Sequence, residues 1–182
     1  MHKQTEIPLY EALLKYKNSK PISFHVPGHK SGALFHLQSN NIFQEILRID
    51  ATELSGLDDL HSPEGVIKVA QELLADLYQV KESFFLVNGS TVGNLAMILS
   101  VCEKDDVILV QRNCHKSVLN ALKLVKARPV FLEPEYNPDW KTATGVSKEI
   151  VERAISLYPE TKAIVLTYPN YYGMVYDLKS VI

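Results

Sequence analysis

From residue 62 onward, apolar positions switch between two rhythms. Val66, Ala70, Leu73 and Leu77 recur at helical spacing, with Ile67, Leu74 and Tyr78 beside them, so the pattern predicts a broad-faced amphipathic helix. Ser62 is its expected N-cap and Pro63 its first helical residue. A short run of β-formers, 83–87, reads as a buried strand. A helix with Leu95, Ala96, Leu99 and Cys102 inward follows. Strands are expected at 107–111, 128–133 and 162–167, with helices carrying Val118, Leu122 and Val125, and spanning 147–158, between them. Residues 136–145 read as a polar loop. Asp177 reads as the N-cap of a further helix opened by Leu178 and Val181.

Strands alternating with helices predict an α/β domain with a mainly parallel sheet flanked by helices. Residues 1–62 differ. They hold five of the six histidines and few strand signals. A helix is expected from Pro8, with Leu9, Leu13 and Tyr16 on one side, and another over 41–47. Pro21, Pro27, Gly28 and Gly32 forbid a helix between them. The expected organisation is an N-terminal helical arm with an irregular segment over 1–62, then the α/β part over 63–182.

Composition narrows the function classes. Of 182 residues, 46% are hydrophobic and 22% charged, and Lys+Arg 19 against Asp+Glu 21 leaves a formal charge of −2. That balance offers no field for nonspecific nucleic-acid binding. No stretch approaches the ~18 apolar residues of a membrane span, and the N-terminus lacks a signal-peptide pattern. Two cysteines, Cys102 and Cys114, make no disulfide scaffold, so a reduced, cytoplasmic setting is expected.

Five segments could carry chemistry. After the strand expected at 83–87, Gly89 permits a tight turn, and Ser90 and Thr91 place hydroxyls at a helix start, an arrangement suited to an anion. Plain helix capping is the competing reading, and local pattern alone favours it. His115, after the next strand, falls on the same sheet edge in a parallel domain. It suits either ring stacking or capping. His25 and His29 are spaced as zinc ligands would be on a helix, but Pro27 and Gly28 exclude that helix, and no metal is expected. With Lys30, His29 forms a turn able to meet an anion. Asp58 and Asp59, followed by His61, suit a cationic group, or a turn with a helix-capping Asp, which turn chemistry favours. Thr167, Asn170 and Tyr171 follow the strand expected at 162–167.

Together these segments resemble the Orn/Lys/Arg decarboxylase family. The matching strings are FHVPGHKSG (24–32), ELSGLDDLHSPEG (53–65), FFLVNGSTVGNLAMI (84–98), RNCHKSVLNAL (112–122) and LTYPNYYGMVYDL (166–178), in the family's order. The resemblance implies an aminotransferase-like (fold type I) large domain using pyridoxal 5′-phosphate to decarboxylate arginine, lysine or ornithine. It implies a homodimer or larger homo-oligomer, with an amino-acid substrate and neither nucleic acid nor membrane as partner. It gives Gly89, Ser90 and Thr91 to the cofactor phosphate, His115 to the pyridine ring and Thr167 to a loop near the cofactor. His29, Lys30, Asp58, Asp59, His61, Asn170 and Tyr171 become substrate or entrance candidates.

The resemblance also carries a departure. The family's ring-nitrogen aspartate lies in an Asp-Glu-Ala-His-type string and its Schiff-base lysine in a Ser-x-His-Lys string. Neither string occurs in residues 1–182. The expectation is therefore an incomplete large domain with no catalytic lysine in this chain, inactive and marginally stable alone. An aminotransferase or aldolase-type lyase is an alternative, as is a non-catalytic remnant or complementing fragment.

Overall fold

The computed structural model describes residues 3–34 and 37–181. Two units separate along the chain, Met1–Phe85 and Leu86–Ile182.

The first unit holds α1 (Pro8–Ser19), α2 (Leu37–Leu47) and α3 (Val66–Tyr78). Pro8 opens α1, where its missing N–H costs nothing. Leu9, Leu13 and Tyr16 are partly buried, and α1 contacts α3. The helix α2 begins earlier than the expected Asn41. The start of α3 also differs from expectation: its N-cap is Gly65, not Ser62. Asp58, in the preceding loop, accepts the N–H groups of Glu64, Gly65, Ile67 and Lys68, and Ser62 N–H turns back to the Asp59 carbonyl. Ile67, Leu73 and Ala75 are buried, whereas Leu77 and Tyr78 are exposed.

The second unit holds α4 (Gly89–Val101), β1 (Val107–Gln111), α5 (Lys116–Val125), β2 (Arg128–Leu132), β3 (Tyr136–Asn137), β4 (Thr142–Ala143), α6 (Lys148–Leu157), β5 (Ala163–Val165) and α7 (Leu178–Val181). The sheet order is β2-β1-β5, all parallel, with Val107 opposite Arg128 and Ile108 opposite Ala163. Central β1 is buried throughout, as its unbroken apolar run requires. Ile108 and Val110 pack with Ile98, Cys102, Val118, Ala121 and Leu122 of the α4–α5 side. Leu109 points to the other face, with Leu132, Val146, Val151 and Ala154. Pro129 sits in β2, where an edge strand tolerates a residue without N–H.

Three expectations for this unit change. Residues 83–87, which straddle the boundary of the two units, form no strand and pair with none among the described residues, and Phe84, Leu86 and Val87 are exposed. β-Propensity reports fit to a pleated surface, and a strand also needs a hydrogen-bonding neighbour. Ile98 of α4 and its C-cap residue Cys102 are buried, while Ala96 and Leu99 are exposed. A helix apolar on nearly every side does not itself select a face. The polar loop contains a two-residue antiparallel hairpin, β3 with β4, whose turn is closed by Asn137 Oδ1 accepting from the N–H groups of Asp139 and Trp140.

Candidate functional site

Parallel strands put the loops after β1 and β5 on one sheet edge. Gln111, fully buried at the end of β1, joins them. Its Oε1 accepts from Thr167 N–H at 3.1 Å and from the Tyr176 hydroxyl at 3.4 Å, and its Nε2 donates to Asn113 Oδ1 at 2.7 Å. Thr167 is thus held by its backbone from the central strand. Sequence reasoning took Gln111 only as the last residue of a strand. The signal was available: a polar side chain closing an apolar run that is buried on both faces.

The start of α4 is built as an open backbone cradle. Gly89 has φ +65°, the left-handed region, and a Cβ there would meet nothing. Asn88, the N-cap residue, makes no side-chain cap hydrogen bond, and Ser90 and Thr91 are exposed. The first N–H groups of α4 and two hydroxyls therefore share one end of a helix whose dipole favours negative charge.

The start of α5 is built differently. His115 is its N-cap residue, and Nδ1 accepts from Ser117 N–H at 3.2 Å. The capping reading and an exposed ring coexist here, because only one edge of the imidazole is used. Ser117 Oγ lies 2.8 Å from Nδ1 and accepts from Asn94 Nδ2 at 2.7 Å. Asn94 stands one turn after Ser90 on α4. The candidates Gly89, Ser90 and Thr91 are thereby tied to His115 through two residues that sequence reasoning did not single out.

Asn170 is buried and turned to its own loop. Its Oδ1 accepts from Tyr172 N–H at 3.0 Å and Met174 N–H at 2.9 Å, and its Nδ2 donates to the Ala143 carbonyl at 3.0 Å. Tyr171, next to it, is 95% exposed. Burial raises the Tyr176 hydroxyl above its usual range, with Tyr168 adding to it. Burial likewise raises Cys114, although its own backbone opposes the shift. A thiol kept protonated is a poor nucleophile.

The remaining candidates lie in the first unit. His29 uses both ring nitrogens: Nδ1 accepts from Gly32 N–H at 3.1 Å and Nε2 lies 3.1 Å from Asp50 Oδ2. Lys30 Nζ donates to the His25 carbonyl. Asp59 Oδ1 accepts from His61 N–H at 2.8 Å, and His61 is exposed. The carboxylate of Asp58 is occupied by the start of α3, with Asp59 N–H a further donor. Among the described residues, no three His, Cys, Asp or Glu side chains cluster as metal ligands would, and no helix is long and apolar enough to cross a membrane.

Known proteins share this chain's sequence and fold. It is 54% identical over 175 residues to the Bacillus subtilis protein YaaO, covering 96% of this chain and 36% of that one. It is 37% identical over 180 residues to the arginine decarboxylase of Bacillus subtilis, covering 98% and 37%. The chain thus spans about a third of the length of these curated relatives. The crystal structure of the Francisella novicida lysine decarboxylase LdcF aligns with a TM-score of 0.80 at 26% identity, over 96% of this chain and 26% of that one. Residues 7–182 match the sequence profile described as Orn/Lys/Arg decarboxylase, major domain, and the chain belongs to that family.

Proposed function

We propose that this chain forms the part of a pyridoxal 5′-phosphate-dependent decarboxylase of basic amino acids that grips the cofactor's phosphate and covers its ring. The observation that carries the reading is the uncapped start of α4, with Gly89 at φ +65°, fastened through Asn94 and Ser117 to the exposed His115. Backbone N–H groups from Gly89 onward and the hydroxyls of Ser90 and Thr91 donate to the phosphate. His115 lies against the pyridine ring, and Thr167 borders it from the end of β5. When bound, pyridoxal phosphate supplies the electron sink for the pair left as the α-carboxylate departs as carbon dioxide.

Similarity to an arginine decarboxylase supports arginine among the three substrates, with the corresponding amine, a polyamine precursor, as product. We assign His29, Lys30, Asp59, His61 and Tyr171 to substrate or subunit contacts in a cytoplasmic homo-oligomer, and Asp58 and Asn170 to holding the shape of their segments. Because residues 1–182 hold neither an Asp-Glu-Ala-His nor a Ser-x-His-Lys string, the chain alone binds the cofactor reversibly and does not decarboxylate. A second reading, a complementing piece that associates with a partner subunit, draws on the exposed, unpaired Phe84, Leu86 and Val87.

Titration with pyridoxal phosphate and with pyridoxal, which lacks the phosphate, tests the main reading. The phosphate form is expected to bind saturably and the other weakly. Ser90→Ala with Thr91→Val is expected to weaken binding about tenfold, equivalent to about 1.4 kcal/mol. Equal binding of both compounds, or no effect of the variants, overturns it. Fixation onto one lysine by borohydride would sink the claim that the chain alone binds reversibly.

A further inference from the structure

We propose that Asn94 and Ser117 are positioning residues that hold His115 as the tautomer protonated on Nε2. The inference rests on the reading of His115 as the group against the cofactor ring. It concerns which nitrogen carries the proton there and what enforces it.

The hydrogen-bond directions follow from one fixed donor. Ser117 N–H, 3.2 Å from Nδ1, can only donate, which favours the tautomer that presents the Nδ1 lone pair. Were Nδ1 protonated, two N–H groups would face each other. A buried amide in the first turn of α5 would then lose its acceptor, since Ser117 is 1% exposed. Asn94 Nδ2 donates to Ser117 Oγ at 2.7 Å, which leaves the hydroxyl's own hydrogen for Nδ1 at 2.8 Å. The chain Asn94 to Ser117 to His115 thus runs in one direction and leaves the imidazole proton on Nε2.

The same chain spans two helices. Asn94 follows Ser90 by four residues on α4, and Ser117 lies in the first turn of α5. The backbone cradle proposed for the phosphate and the ring proposed to cover the cofactor are therefore set relative to each other by one partly buried contact. A contact serving packing alone would not impose a proton position.

Reversing the donor at position 94 separates the two possibilities. In Asn94→Asp, a carboxylate accepts the Ser117 hydroxyl hydrogen, and Oγ then offers Nδ1 a lone pair. Long-range ¹⁵N–¹H spectra of the ¹⁵N-histidine-labelled full chain, without cofactor and at pH about 8, where a free imidazole is neutral, read the outcome directly. The wild type is expected to show His115 with Nδ1 bare and Nε2 protonated. Asn94→Asp sets the Oγ lone pair against the Ser117 N–H and is expected to move part of the population to the Nδ1-protonated tautomer; adding Ser117→Ala removes Oγ, leaves the N–H as the sole partner, and is expected to return Nδ1 to the bare state. A wild type with Nδ1 protonated, or with the proton shared evenly, overturns the proposal. So does a folded Asn94→Asp variant whose tautomer ratio equals that of the wild type. If that variant fails to fold, Asn94→Ala is read in its place: it frees the Ser117 hydroxyl to accept as well as donate, and a tautomer ratio equal to that of the wild type overturns the role of Asn94. Failure of the pyridoxal phosphate titration would remove the cofactor reading and leave the tautomer result standing.

Discussion

The carboxylate of Asp58 lies 2.8 Å from the backbone nitrogen of Gly65 and accepts its hydrogen bond. It also accepts from Glu64 at 3.0 Å and Ile67 at 3.0 Å, so one side chain satisfies most of the free donors where α3 begins. Asp58→Ala is expected to cost about 1–2 kcal/mol, the scale of a lost helix cap whose donors are mostly within reach of water. Asp58→Asn shifts stability the same way, because an amide NH₂ would face N–H groups. Urea unfolding gives the magnitude, and faster hydrogen exchange at the amides of Ile67 and Lys68 locates it.

The same carboxylate makes stability depend on acid. Burial pushes the Asp58 carboxyl upward, but the N–H groups of Glu64, Asp59, Gly65 and Lys68 outweigh it and hold it well below the usual carboxylate range. A native-state pKa below the unfolded one contributes stability that is present above the unfolded value, about 4, and is lost as pH falls from there through the native value. The wild type is expected to lose more stability than Asp58→Ala between pH 5 and the acid end, roughly the window set by that unfolded value. Parallel pH profiles for the two proteins would refute the assignment.

Gln111 gives a prediction at the sheet edge. Gln111→Leu fills the same space but leaves Thr167 N–H without its acceptor at 3.1 Å and Asn113 without its donor at 2.7 Å. The expected cost is about 1–3 kcal/mol. Exchange at the Thr167 amide should rise by more than at the centre of β1, whose ladder is untouched. Equal protection of Thr167 in both proteins would show that Gln111 does not hold the loop.

These residues mark where the sequence was legible. The run at 107–111 identified β1 to the residue, because burial on both faces leaves an unbroken apolar signature. Residues 83–87 carry a similar signature, but pairing belongs to two segments and cannot be read from one. The hairpin of Tyr136–Asn137 with Thr142–Ala143 is too short for periodicity to register. Ser62 looked like a cap because the pattern is local; the true acceptor, Asp58, reaches α3 through a loop. The left-handed turn at Gly89 and the helix cap at His115 were legible as turn chemistry. Asn94, Ser117 and Gln111 were not, because their meaning lies in partners on other elements.

Gly145 and Tyr176 supply the sharpest packing test. Gly145 is buried, and a Cβ built on it would lie 2.0 Å from Tyr176 Cδ1 and 2.5 Å from its Cγ. The ring cannot swing freely. It packs edge-on against Tyr168, with centroids 5.4 Å apart, and its hydroxyl reaches Gln111. Gly145→Ala therefore has to displace either the ring or the strand-like backbone beside it. Overpacking of this kind costs about 1–3 kcal/mol. Tyr176→Ala alone is also destabilising, because it loses ring packing. The double variant is expected to be more stable than the sum of the two losses predicts, because the added methyl then enters vacated space. Urea unfolding of the four proteins closes the cycle. Strict additivity would place the cost of Gly145→Ala elsewhere, in its backbone rather than in its contact with Tyr176.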